Sequence, residues 1–246
     1  MTATRRKEVL DRTGWRAWLE AFFTSDVGMK WLMALTGIGL LGYVLVHMLG
    51  NLKIFLGPEE INAYAEALRE LGGALVPRTS ILWIFRVGLI SMFAIHIWAA
   101  AVLTKRNLDA RGRIRYEARR QWIAANYASL TMRYSGVVLL LFVLYHLADL
   151  TWGNANPDFV RGDVYHNVIA SFSRPEIALL YLVAQVALAF HVYHGAWSLW
   201  QSMGVAGPRI DVLRRYFATA FAVVVFLGNS SIPLAVQLGV LTGGSA

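Results

Sequence analysis

The chain has no cysteine among its 246 residues. That absence excludes disulfides, thiolate-held iron–sulfur clusters and the C-x-x-C-H attachment of a c-type haem, so metal chemistry here must use histidine or methionine. Charge is also scarce. Charged residues make up 15% of the chain and hydrophobic ones 57%, which excludes the balance of an ordinary soluble domain. Acids are the scarcer sign, 15 against 23 Lys and Arg, which leaves a net charge of +8. No repeat or low-complexity tract is evident.

What the chain does have is long apolar runs. Five exceed the roughly 18 residues that cross a bilayer: Trp31–Gly50, Ser80–Thr104, Tyr127–Leu150, Ile177–Met203 and Tyr216–Leu238. Charge enters them only at Arg86, Arg133 and Asp149. The expected fold is all-α, a polytopic membrane protein whose five transmembrane helices form one bundle over residues 31–246. The first run starts too far along for a cleaved signal peptide. Within residues 1–30, Trp15, Trp18, Leu19, Phe22 and Phe23 share one helical face, with Arg12, Arg16 and Glu20 on the other. That pattern predicts an amphipathic helix lying in the membrane interface.

The basic residues cluster on alternate sides of the spans. Arg5, Arg6, Lys7, Arg12, Arg16 and Lys30 precede the first span. Lys105, Arg106, Arg111, Arg113, Arg115, Arg119 and Arg120 lie between the second and third, and Arg209, Arg214 and Arg215 between the fourth and fifth. The positive-inside rule then places the N-terminus in the cytoplasm and the C-terminus outside. Between the first two spans, Gly57-Pro58-Glu59-Glu60 should open a short outer helix that ends at Gly72-Gly73. Residues 154–174 read as a second outer loop, with His166 as polar surface.

Five of the six histidines fall inside the spans: His47, His96, His146, His191 and His194. Ionisable side chains within a membrane are rare and usually functional. At about 1.5 Å per residue, His47 and His146 stand roughly 25–28 Å above the inner face, and His96 and His191 roughly 12–15 Å above it. Each level thus draws on two different helices. Two stacked b-type haems, each held by two imidazoles, fit that geometry. The pairs are His47 with His146 (outer) and His96 with His191 (inner). Gly37, Gly39, Gly42, Gly136 and Gly195 would let a flat macrocycle approach the backbone. The competing account is that a lone intramembrane histidine packs through hydrogen bonds.

His191 is favoured over His194, three residues on, which is left to packing, a propionate or a quinone. Arg86 and Arg133 have two open readings: partners of haem propionates, Arg86 outer and Arg133 inner, or snorkelling to the interface. Met48, Met92 and Met132 read as core. Asp149 and Glu176 read as interfacial.

The strings HMLGNLKIF, NAYAEALRELG, TMRYSGVVLLLF, YHLADLTWG and FHVYHGAWSLWQSMG resemble one family. It is the cytochrome b558 membrane-anchor subunit of succinate dehydrogenase, the five-helix, two-haem succinate:quinone oxidoreductase (respiratory complex II). The similarity runs from about Ser25 to Gly207. It implies that His47, His96, His146 and His191 are the haem ligands, the last in an H-x-x-x-G pattern with Gly195. It also implies a flavoprotein subunit with FAD and an iron–sulfur subunit on the cytoplasmic face. A quinone, menaquinone by resemblance, would be reduced near the outer haem; the end of the first span (His47, Asn51, Lys53) and the helix after it are candidate linings, though the sequence does not locate the pocket. The setting implied is a bacterial cytoplasmic membrane, with a higher-order oligomer of the complex possible. Some fumarate-reducing members carry a Glu two residues before the fourth ligand; Ala189 stands there, which points to succinate oxidation. The alternatives are a dihaem subunit of a fumarate reductase, nitrate reductase or hydrogenase, and a haem-free anchor.

Overall fold

A computed structural model describes residues 14–111, 123–205 and 207–243. The basic residues Arg5, Arg6, Lys7 and Arg12 and the run from Arg113 to Arg120 lie outside them. Helix α1 spans Trp15–Thr24 and buries none of its residues. Trp15 and Trp18 are 69% and 63% exposed, as an interfacial helix requires. Ser25 separates it from α2 (Asp26–Asn51), whose first turn it caps by accepting the Gly28 N–H at 3.0 Å. A short 3-10 turn, Leu52–Leu56, then leads to Gly57 at φ 108°. Pro58 at the first position and Glu59 and Glu60 in the first turn start α3 (Pro58–Arg69). The chain turns at Gly72, φ 96°, before α4 (Ser80–Arg111).

Helix α5 (Ile123–Leu147) continues as a π-turn, Ala148–Trp152. The expected outer loop contains a helix, α6 (Val164–Phe172). It is nine residues long, too short for periodicity to announce it. Its start is fixed by Asp163, which accepts the His166 N–H at 2.9 Å. Helices α7 (Pro175–Ser202) and α8 (Pro208–Gln237) both open on proline. Arg209, Arg214 and Arg215 therefore sit inside α8 and not in a loop, because the helix begins before its apolar run does. The same is true of α2, which starts at Asp26. Hydrogen bonding along the backbone continues into the interface, where the hydropathy signal has already ended.

Five of these helices, α2, α4, α5, α7 and α8, are long and apolar enough to cross a membrane. The chain is an all-helical, multi-pass membrane protein. Their middles are thinly buried: Ile84 is 68% exposed and Leu141 63%. Lipid chains solvate such faces as well as other side chains do. The densest packing lies at one end, where Ile54, Ile61, Ile169, Phe172, Tyr181 and Ile232 join under α3 and α6. Among the described residues α2 packs on α4, α5 on α7, α2 on α7 and α7 on α8. The diagonal pairs, α2 with α5 and α4 with α7, do not pack closely on one another.

Candidate functional site

The four histidines expected at two levels are brought together in the expected pairs, each across one diagonal. The ring centres of His47 and His146 are 5.9 Å apart, with planes at 87°. Those of His96 and His191 are 6.5 Å apart, at 66°. Two imidazoles bound to one metal ion from opposite sides, at metal–nitrogen bonds of about 2.0 Å, have ring centres about 6 Å apart. Among the described residues no three His, Cys, Asp or Glu gather as a metal site. A donor set of two facing imidazoles suits a metal that brings its own equatorial donors, as haem iron does. The open diagonals leave room for such a group, and a Cβ added at Gly42 or Gly195 would meet nothing within 4 Å.

The inner pair is held by two matched devices. Thr36 Oγ1 lies 3.2 Å from His96 Nδ1, and Ser135 Oγ lies 3.2 Å from His191 Nδ1. The Thr36 hydroxyl also reaches the Met33 carbonyl at 3.2 Å, and the Ser135 hydroxyl the Met132 carbonyl at 3.2 Å. Next along the chain, Gly37 and Gly136 lie beside these rings; a Cβ at either would meet the histidine Cε1 at 3.6 Å, an ordinary contact. With Nδ1 so occupied, Nε2 of each ring is left free to bind a metal. These hydroxyls escaped the sequence reading. A signal was present: Met33, Thr36, Gly37 and His47 recur 99 residues later as Met132, Ser135, Gly136 and His146.

The outer pair is built differently. His47 stacks on Tyr43 at 5.3 Å and 12°. His146 Nδ1 lies 3.3 Å from the Tyr181 hydroxyl, which in turn donates to Asp149 Oδ2 at 2.8 Å. Asp149 also takes the Ser171 hydroxyl and pairs with Arg174 at 3.1 Å. The side chain of Asp149, just past the end of α5, is 0% exposed. The π-turn and α6 fold over it and supply its partners.

The remaining candidates are placed as follows. His194 is half-buried, and its Nδ1 is buried without a hydrogen-bond partner. Arg86 is exposed, with its guanidinium 5.1 Å from the Trp83 ring centre. Arg133 is half-buried. Lys53 pairs with Glu60 at 3.9 Å and lies over Tyr64. Met48 is buried against Gly228, and Met92 packs on Gly39. His166 is exposed and donates from Nε2 to the Asp158 carbonyl at 2.9 Å.

Residues 110–228 match the family model described as succinate dehydrogenase/fumarate reductase transmembrane subunit. The matched region holds His146 and His191, while His47 and His96 precede it. No curated protein and no solved structure matches the chain. The family match supports a membrane subunit of a succinate dehydrogenase or fumarate reductase.

Proposed function

From that family support we propose that this chain is the membrane-anchoring cytochrome b subunit of a succinate dehydrogenase. It holds one b haem between His47 and His146 and another between His96 and His191. The observation that carries the reading is the pair of facing imidazole sets near 6 Å, 5.9 and 6.5 Å, each across an open diagonal. When bound, the haems supply a one-electron path from an iron–sulfur subunit on the cytoplasmic face to menaquinone near the outer one.

The chain's own residues do the rest. Thr36 and Ser135 aim the inner imidazoles, and Tyr181 aims His146. Lipid-facing apolar side chains keep water away from both levels. Arg86 and Arg133 would pair with the haem propionates, and His194 would stay a non-ligand. The cytoplasmic ends dock the FAD-bearing flavoprotein and the iron–sulfur subunit. Part of that surface is fixed by Arg106, which pairs with Asp26 at 2.7 Å and donates to the Thr24 carbonyl at 2.8 Å. The membrane is the bacterial cytoplasmic one.

The test is a reduced-minus-oxidised spectrum of the purified complex with a haem-to-protein ratio. Two b haems per chain, at least partly reducible by succinate, are expected. One haem would make one histidine pair structural, and none would overturn the reading.

A further inference from the structure

We propose, resting on the two-haem reading, that Tyr181 and Asp149 form an anionic relay behind His146. The relay fixes its tautomer and stabilises the oxidised state of the outer haem. Asp149 as a carboxylate only accepts hydrogen bonds. The single hydroxyl proton of Tyr181 goes to Asp149 Oδ2 at 2.8 Å. The tyrosine oxygen can therefore only accept from His146, 3.3 Å away, which puts the imidazole proton on Nδ1. Nε2 is then a bare lone pair, on a ring whose centre lies 5.9 Å from that of His47.

Such an acceptor behind a ligand makes the imidazole a stronger electron donor. A buried negative charge behind the ligand would act in the same direction, favouring the more positive oxidised state of a bound metal. Arg174 opposes this only in part, because its side chain is 27% exposed while Asp149 is 0% exposed. The relay is rigid. The Tyr181 ring is boxed by Phe142 at 5.0 Å and Phe172 at 4.7 Å, and Ser171 holds the second carboxylate bond.

The other three histidines have no such partner among the described residues. His96 and His191 face neutral hydroxyls, and His47 faces the ring of Tyr43. The effect should therefore reach one haem alone. Tyr181 and Asp149 are positioning residues, since neither touches the place where iron would sit.

The experiment is a potentiometric titration of the purified complex carrying Tyr181→Phe or Asp149→Asn, read optically and by the low-spin ferric resonance of each haem. The outer haem potential should rise in both variants while the inner one stays. In Asp149→Asn the oxidised-to-reduced ratio at fixed poise should fall about tenfold, which is about 59 mV for one electron. Tyr181→Phe keeps the packed ring, so assembly is preserved even if Asp149→Asn is poorly folded. Arg174→Lys, which keeps the charge, should titrate as the wild type does. Two haems present with the outer potential unmoved, or both potentials moved alike, would overturn the relay. A wild-type complex without haem would instead remove the two-haem reading.

Discussion

Replacing Arg174 by alanine should expose how much the outer end of the bundle depends on one buried charge. Arg174 Nη2 stands 3.1 Å from Asp149 Oδ1. At that separation, 3.1 Å, and an effective dielectric of about 20, the attraction is roughly 5 kcal/mol. Two facts reduce the loss. The arginine side chain is 27% exposed, and Ser171 and Tyr181 still donate to the carboxylate. Removing one partner of a buried pair nevertheless strands the other, and we expect a loss of about 3 kcal/mol. Adding Asp149→Asn removes the stranded charge and should return about 2 kcal/mol of it as coupling between the two sites. Denaturant titration of the detergent-solubilised complex, with the single and double variants side by side, measures both quantities. A single variant within 1 kcal/mol of wild type, or two substitutions that merely add, would refute the argument that Asp149 is a buried ion needing a counter-charge.

Three further outcomes follow from the geometry. Alanine at Gly136 or Gly37 puts a Cβ 3.6 Å from the histidine Cε1, an ordinary contact, so haem content should hold. Valine adds two methyl groups that meet the ring, and the haem-to-protein ratio should fall by about half. His191→Ala should lose the inner haem while His194→Ala keeps both, as read from the absorbance spectrum of each purified complex. Burial raises the Asp163 carboxyl, but hydrogen bonds from the His166 N–H and Asn62 outweigh this and hold it below its ordinary 3.8. Its cap on α6 therefore contributes stability above about pH 3.8 and loses it as the pH falls through the folded-state value. Asp163→Ala should cost about 1 kcal/mol at neutral pH. The wild type and the variant should converge in acid unfolding curves.

The span count, the helical class and the two-level pairing of the histidines were legible in the sequence. Each depends on something local or one-dimensional. A span is a length of apolar chain measured against a fixed hydrocarbon thickness, and depth is residue count times a fixed rise. The residues around the histidines were not legible to the same degree. Thr36 and Ser135 reach the inner rings from neighbouring helices, and Tyr181 and Ser171 reach Asp149 from α7 and α6. Such contacts depend on the rotation of each helix about its axis. A membrane helix that is apolar all round carries little periodicity to set that rotation.

The sequence by itself determined that this protein crosses the membrane five times with histidines at two depths, because hydropathy and helical rise accumulate along the chain whatever surrounds it. Only the tertiary structure decided which helices stand diagonally and which hydroxyl backs each imidazole. It also decided that Asp149 is buried under α6. Those are choices of azimuth and close packing, made only where side chains of several helices meet.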